Sequence, residues 1–413
     1  MLGFLCLFYF LIYGFTNQTF NLLLGTITAD MGWTDVQRTA MASAMPSGML
    51  WFVFVAGTLL DKFSAKKILG SAIVLSGLLT ILRGQAHGFS LFFTIIFLFG
   101  VASAFFLPAC VKILSLWFDQ DELMFTNGCL FASISIGMIV ANLFTAQIIA
   151  VLGSWRIMYI FTGIGSVLIA AAFFIFGKER KNEDASLKSS ILTAADLGFW
   201  KNIKGIMKVP FVWFYTMANM FFLSTLFAAN ALGQYIYQSD WGLSITASGR
   251  VHAFSNIATM SAFVFVPLII GKMGRKHFMK IIIICGIFVP VLKIAGHLSY
   301  NYIFLCATMF LSGILGGAAM PAPRVLLLQL PEVSGPRAGT AMGFYQTIER
   351  IGIAGITAVL GTLISLNGTL RTGEILGLVF LLQFFSPFFL ILSVFLIRKT
   401  RAKADAAQQV QQK

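Results

Sequence analysis

Long apolar stretches separated by short polar or charged breaks run along the whole chain of 413 residues. A helix needs about 20 consecutive apolar residues to cross the hydrocarbon core of a bilayer. Counting stretches of that length predicts twelve transmembrane helices, because these stretches are too long and continuous for the strands of a membrane barrel. The predicted boundaries lie near 3–25, 38–60, 67–86, 89–117, 123–150, 157–177, 209–236, 247–270, 277–298, 301–328, 338–364 and 373–397.

The composition excludes a water-soluble globular protein. Hydrophobic residues make up 58% of the chain and charged residues 11%, whereas about 25% of a soluble domain is charged. The N-terminus begins with apolar residues and has no basic region or cleavage site, so we expect a retained first helix and no signal peptide. The five cysteines lie in apolar stretches without metal-ligand or CxxC spacing, which predicts core residues and neither a metal nor another cofactor.

The net charge of +14 follows membrane topology and does not indicate a nucleic-acid partner. Every second connection is basic, at Lys62 to Lys67, Lys178 to Lys208, Lys272 to Lys280 and Arg398 to Lys403. The other connections hold little beyond Arg38, Arg156, Arg250 and Arg371. Since basic loops stay on the cytoplasmic side, the pattern predicts an inner-membrane protein with both termini in the cytoplasm.

The longest connection, 178–208, divides the chain into an N-terminal unit at 1–177 and a C-terminal unit at 209–397, followed by a cytoplasmic tail at 398–413. Apolar residues of this connection follow helical spacing, with lysines elsewhere on the wheel. The spacing predicts an amphipathic helix on the anionic inner leaflet. A disordered linker is the alternative interpretation.

The two units repeat each other at an offset that drifts from 210 to 215 residues. Six pairs of segments match in the same order. They are Asp30–Thr34 with Asp240–Ser244, Gly57–Leu69 with Pro267–Met279, Arg83–His87 with Lys293–His297, Pro108 with Pro321, Gly128 and Gly137 with Gly343 and Gly352, and Gly153–Arg156 with Gly368–Arg371. The repeat predicts two pseudo-symmetric six-helix bundles in parallel orientation.

A short charged turn between the second and third apolar stretches carries the clearest motif. It has the form Gly-x-x-x-Asp-Lys-x-x-x-Lys-Lys, at Gly57, Asp61, Lys62, Lys66 and Lys67. The motif resembles the corresponding loop of the major facilitator superfamily, whose two halves are similar to the repeat found here. The resemblance implies a monomeric secondary transporter in which Asp61 latches the two halves in one state. Ser64-Ala65 departs from the Gly-Arg that this superfamily usually has there.

The eleventh stretch carries an adjacent acid and base, Glu349 and Arg350. At about 1.5 Å per residue from the end near Ala338, they lie roughly 17 Å deep, which is mid-bilayer. Arg350 shares a helix face with Gln346, and we interpret both as substrate-binding, with the guanidinium matched to a carboxylate. Glu349 is a candidate for proton coupling. The alternative is a structural ion pair, although adjacent residues diverge on a helix.

Other polar side chains inside apolar stretches extend the candidate site. Lys112 and Arg324 follow the paired prolines and would line an anion path or contact lipid head groups. Gln18 and Asn21 share one face of the first helix. On the eighth helix, Asn256 is a substrate-binding candidate and His252 a candidate pH-sensitive group for proton coupling. For all of these amides, hydrogen bonding between helices is an equal alternative.

These features favour a secondary transporter that moves a small organic anion or carboxylate-bearing metabolite by alternating access, through proton symport, antiport or exchange. The chain resembles carboxylate porters of the superfamily at Gly32-Trp33-Thr34 and at Arg350. Porters of that type hold a dianion with cations on helices eight and eleven, whereas helix eight here offers only Arg250 near its outer end.

Two alternatives stay open. The first is a proton-coupled exporter of amphipathic drugs or lipids, but Ile96 stands where such exporters usually have an arginine. The second is a membrane-embedded enzyme or receptor on a transporter-like fold. The cytoplasmic segments contain no metal cluster, serine/histidine dyad or glycine-rich phosphate loop, so we expect no enzymatic activity.

Overall fold

The computed structural model describes residues 1–118, 120–177, 204–270, 275–320, 323, 326–327, 330, 333, 338–365 and 372–396. Its helices, in chain order, are α1 Leu2–Met31, α2 Asp35–Lys62, α3 Ala65–Gln85, α4 Phe89–Ser103 continued by Phe106–Trp117, α5 Gln120–Leu152, α6 Trp155–Phe176, α7 Pro210–Ser239, α8 Ile245–Ile270, α9 Arg275–Leu298, α10 Tyr302–Ala319, α11 Ala338–Ser365 and α12 Thr372–Leu382 continued by 385–396. Each predicted stretch overlaps one of them, which confirms a helical membrane architecture.

Among the described residues, nine helices are long and apolar enough to cross a membrane. The helices α2, α8 and α11 do not meet that measure over their described residues, so the number of twelve spans stays a prediction. The linker is described only from residue 204, and the tail at 398–413 lies outside the described residues. The predicted domain boundaries and linker helix therefore also stay predictions.

The ends of α1 and α7 show how the repeated sequence produces repeated structure. Gly32 ends α1 with a left-handed φ of 63°, and Gly242 follows α7 with a φ of 62°. A glycine tolerates this conformation because it has no Cβ. Thr34 then caps α2 by accepting a hydrogen bond from the Gln37 amide. The first helix thus runs to Met31, beyond the predicted residue 25, because the glycine sets its end.

The two bundles also repeat their tightest helix crossings. On α5, a Cβ added to Gly137 would overlap the carbonyl oxygen of Phe10 on α1. On α11, a Cβ added to Gly352 would lie 2.6 Å from Ser224 Oγ on α7. Gly352 is the repeat partner of Gly137, so the duplication predicted from the sequence has a structural counterpart in where α1 meets α5 and α7 meets α11.

The bundles meet along three helix pairs, with α2 against α11, α5 against α8 and α1 against α7. One apolar cluster continues through this seam and includes Leu23 and Ile27 of α1 with Leu232 and Ile236 of α7. These contacts place the middle parts of four helices between the two bundles, namely α1, α2, α7 and α11.

Candidate functional site

A narrow cleft lies between the bundles, and Arg350 is one of its walls. The lining residues are Tyr13, Asn17, Phe20 and Asn21 from α1, Met41, Ala42, Met45, Pro46 and Met49 from α2, Phe227 from α7, and Arg350, Ile353 and Thr357 from α11. The cavity volume is about 30 Å³, room for about two water molecules. This volume is smaller than that of an organic metabolite.

The winding of α1 determines which of its amides face the cleft. The stretch Tyr9–Thr16 is a π-helix, a rare conformation that is frequent at functional sites, and Thr16 Oγ1 donates to the Leu11 carbonyl oxygen at 2.8 Å. Beyond it, Asn17 and Asn21 lie one turn apart and both line the cleft. Gln18 points to α5 instead, so the predicted shared face of Gln18 and Asn21 does not place both in the cleft.

Glu349 and Arg350 pair with each other, and our expectation that adjacency weighs against pairing is wrong. Arg350 Nη2 lies 3.4 Å from Glu349 Oε1, because both side chains are long enough to bend back along the helix. The Asn219 amide of α7 donates to Glu349 Oε2 at 2.8 Å. The carboxylate is thus held inside the C-terminal bundle, against α7.

The two members of this pair differ in exposure. The Glu349 side chain is 3% exposed and the Arg350 side chain 14%. Arg350 Nε is buried and makes no hydrogen bond to any described residue. Arg350 therefore adds a cation to the wall of the cleft, and the adjacent Glu349 carboxylate balances its charge.

The other predicted substrate-binding residues lie apart from the cleft or outside the described residues. Lys112 Nζ donates to the Leu60 carbonyl oxygen at the end of α2, next to the charged turn. Gln346 and Asn256 are half-buried, and the described lining includes neither. Arg324 lies outside the described residues. Their binding roles stay predictions.

The proton-coupling candidate His252 is buried on α8, with its ring centroid 5.9 Å from that of Tyr237 on α7. Its Nε2 makes no hydrogen bond within the described part of the chain. His252 is thus packed inside the C-terminal bundle. It is not among the described residues that line the cleft with Arg350.

The charged turn joins α2 to α3, as expected. Ser64, which departs from the family pattern, caps α3 by accepting from the Lys67 amide at 3.3 Å. Lys66 Nζ donates to the Phe174 carbonyl oxygen of α6 at 2.9 Å. The side-chain environments of Asp61 and Lys62 and the surroundings of Gly57 are not described, so the gating role of the turn stays a prediction.

Sequence reasoning missed a contact that closes the seam at the end where α1 stops and α2 starts. Arg38 is buried there, with its guanidinium carbon 3.5 Å from the centroid of the Tyr235 ring on α7. Gln238 of α7 donates to the Leu22 carbonyl oxygen of α1 at 3.3 Å. An arginine in an outer connection gives no local signal of a partner almost 200 positions away.

Comparisons with known proteins match this architecture. A family model described as Major Facilitator Superfamily matches residues 6–357. Among solved structures, a bacterial homolog to the human lysosomal transporter Spinster, in an inward-facing and occupied conformation, superposes with a TM-score of 0.75. It covers 95% of this chain and 96% of that chain at 12% identity, a level that shows the fold alone.

Two curated relatives match shorter stretches. A probable sulfoacetate transporter, SauU, of Cupriavidus necator is 26% identical over 200 residues, covering 48% of this chain and 44% of that protein. A quinolone resistance transporter of Acinetobacter baumannii is 28% identical over 153 residues, covering 36% of this chain and 35% of that protein. These matches span less than half of each relative, and the relatives are transporters, not enzymes.

Proposed function

Because this chain belongs to the Major Facilitator Superfamily, we propose that it is a secondary transporter of a small organic anion that carries a carboxylate. The observation that carries this proposal is the placement of Arg350 in the wall of the cleft between the bundles. An anion in the cleft would meet a guanidinium whose Nε has no hydrogen bond to a described residue. The similarity to a probable sulfoacetate transporter supports the same class of cargo.

The long contact between Glu349 and Arg350 favours binding of a substrate carboxylate to Arg350. A strong guanidinium–carboxylate contact is about 2.7–2.9 Å long and often bidentate, whereas Arg350 Nη2 and Glu349 Oε1 lie 3.4 Å apart. A substrate carboxylate would supply the shorter, two-point contact on the cleft side. Glu349 would stay bonded to Asn219 and would be the group that takes up or releases a proton during the cycle.

Alternating access accounts for the small volume of the cleft. The bundles are joined by Arg38 and Tyr235 at one end of the seam, and the substrate would enter when they part at the other end. The basic connections support a protein of the inner membrane with both termini in the cytoplasm, and the superfamily supports a monomer. Proton coupling and exchange are both compatible with one carboxylate beside the binding cation.

The test is counterflow of labelled carboxylates in reconstituted vesicles, with and without a pH gradient. We expect Arg350→Gln to lower uptake at least 100-fold, because the ligand loses its charged partner. Since that variant leaves Glu349 buried without its cation, the double variant Glu349→Gln/Arg350→Gln keeps the site neutral and must also fail to transport. Arg250→Gln, which removes an exposed cation of α8, is the matched control and should change uptake by less than twofold.

Unchanged uptake by a folded double variant would refute the role of Arg350.

A second candidate, export of amphipathic drugs, is favoured by the apolar cleft residues Met41, Met45, Met49 and Phe227 and by the relative named for quinolone resistance. Flexible methionines adapt to varied ligands, but a cleft arginine repels lipophilic cations. Thermal stabilisation by carboxylates and not by lipophilic cations would decide for the anion.

A further inference from the structure

Three amide side chains from three helices meet in the seam between the bundles. Asn142 Oδ1 of α5 accepts from Gln18 Nε2 of α1 at 3.1 Å and from Gln234 Nε2 of α7 at 2.8 Å. The three residues are 1%, 1% and 0% exposed. Two of these helices, α1 and α7, also line the cleft, through Asn17 and Phe227. Gln18 directly follows the cleft residue Asn17 in the chain, so the cluster adjoins the wall that α1 gives to the cleft.

The hydrogen bonding of this cluster is incomplete. Gln18 Oε1, Gln234 Oε1 and Asn142 Nδ2 are buried, and none has a hydrogen-bond partner among the described residues. Reversing all three amides exchanges donors for acceptors but leaves as many atoms unsatisfied. Because a buried polar group without a partner costs free energy, a cluster that served only to join the bundles would be poorly built for that purpose.

A helix of the C-terminal bundle also packs against the backbone of Asn142. A Cβ added to Gly249 of α8 would overlap the backbone oxygen of Asn142, so α8 packs directly against α5 at this residue. Gln18 and Gln234, in contrast, come from the two helices that bound the cleft. Gln18 and Asn142 belong to the N-terminal bundle and Gln234 to the C-terminal bundle, so parting of the bundles separates Gln234 from Asn142 and lets a ligand take its place beside Asn142 and Gln18.

We propose that Gln18, Asn142 and Gln234 form a second recognition subsite, which selects organic anions that carry hydroxyl groups. A hydroxyl both donates and accepts, so it can donate to a glutamine carbonyl and accept from the Asn142 amide, the atoms left unsatisfied here. This inference rests on the proposed function, in which Arg350 binds the carboxylate. A site built to hydrogen-bond a hydroxyl discriminates strongly against the analogue that lacks it, because its polar atoms then stay unpaired.

The test compares acids of equal chain length with and without hydroxyls. The pairs are tartrate against succinate and glycerate against propionate, with dissociation constants taken from thermal stabilisation of the full chain in detergent. We expect the wild-type protein to prefer the hydroxylated member at least 30-fold. Asn142→Leu should reduce that preference to less than threefold while the affinity for succinate changes by less than threefold.

The matched control is Gln238→Leu, which also removes an amide that joins the bundles but lies outside the cluster; it should keep the full preference. If Asn142→Leu does not fold, Gln234→Met gives the same test with one amide removed. Binding of tartrate and succinate with equal affinity by wild type would overturn the subsite and leave carboxylate transport standing. Lower thermal stability of the folded variants with the preference unchanged would show that the amides only join the bundles, and would overturn the subsite. Failure of every acid to bind would refute the proposed function and this inference together.

Discussion

The repeat-related helices α5 and α11 share a backbone plan but differ in the chemistry they carry. Both cross a partner helix at a glycine, Gly137 against α1 and Gly352 against α7. Where α11 has Glu349 and Arg350, α5 has Ile134 and Ser135. Ser135 Oγ bonds only within its own helix in the described contacts, to the Phe131 carbonyl oxygen at 3.2 Å. The duplication therefore preserved the crossing, and an intramembrane charge pair stands on one side alone.

Farther along the same helices the difference takes another form. Asn142 of α5 binds Gln18 and Gln234, and Thr357, its counterpart on α11, lines the cleft. Each central helix thus contributes polar groups, but to different parts of the seam. Equivalent positions of the two halves have thus diverged, which makes the polar groups of the seam asymmetric.

The largest expected difference between α11 and α5 concerns the charge pair of α11. Arg350→Gln removes the guanidinium that contacts the buried Glu349 carboxylate, so we expect a loss of about 3–5 kcal/mol in unfolding free energy. The equivalent change on α5, Ser135→Ala, should cost less than about 1 kcal/mol. Unfolding in detergent measures both, and the double variant Glu349→Gln/Arg350→Gln should recover most of the loss. No recovery would mean that the two charges do not depend on each other.

Features that depend on local or periodic sequence signals could be predicted, whereas contacts between distant helices could not. Apolar length, the glycine at 32 and the internal repeat are local or periodic, so they predicted the helices, the two-bundle plan and the superfamily, all of which are confirmed. The position of Arg350 in a cleft could be expected from its helix face. The pairing of Asn142 with Gln18 and Gln234 could not, because register between helices far apart in sequence depends on tertiary packing.

A smaller difference in stability is expected between alanine substitutions at the two glycine crossings. An added methyl group at Gly137 meets backbone atoms of α1, which cannot move without shifting the helix, whereas at Gly352 it meets the Met220 side chain and Ser224 Oγ. Overpacking costs about 1–3 kcal/mol, so Gly137→Ala should lie near the upper end and Gly352→Ala near the lower end. Unfolding of both variants in the same detergent tests this, and equal losses would contradict the rigid-backbone explanation.

The smallest effect concerns the buried cations Arg83 and Lys293, which the repeat places at equivalent positions on α3 and α9. Arg83 lies over three rings, with centroid distances of 5.3 Å to Phe20, 5.0 Å to Phe99 and 5.2 Å to Tyr159.

Among the described residues, Lys293 lies over one ring, with Nζ 5.5 Å from the centroid of Phe380. Cation–π contacts contribute about 0.5–2 kcal/mol each when desolvated, and a buried charge replaced by an apolar side chain regains its desolvation cost. We therefore expect Lys293→Met to be neutral or slightly stabilising and Arg83→Met to destabilise the protein by about 1 kcal/mol, as measured by thermal unfolding. A larger loss for Lys293→Met than for Arg83→Met would show that the lysine has a role beyond the packing it shares with its counterpart.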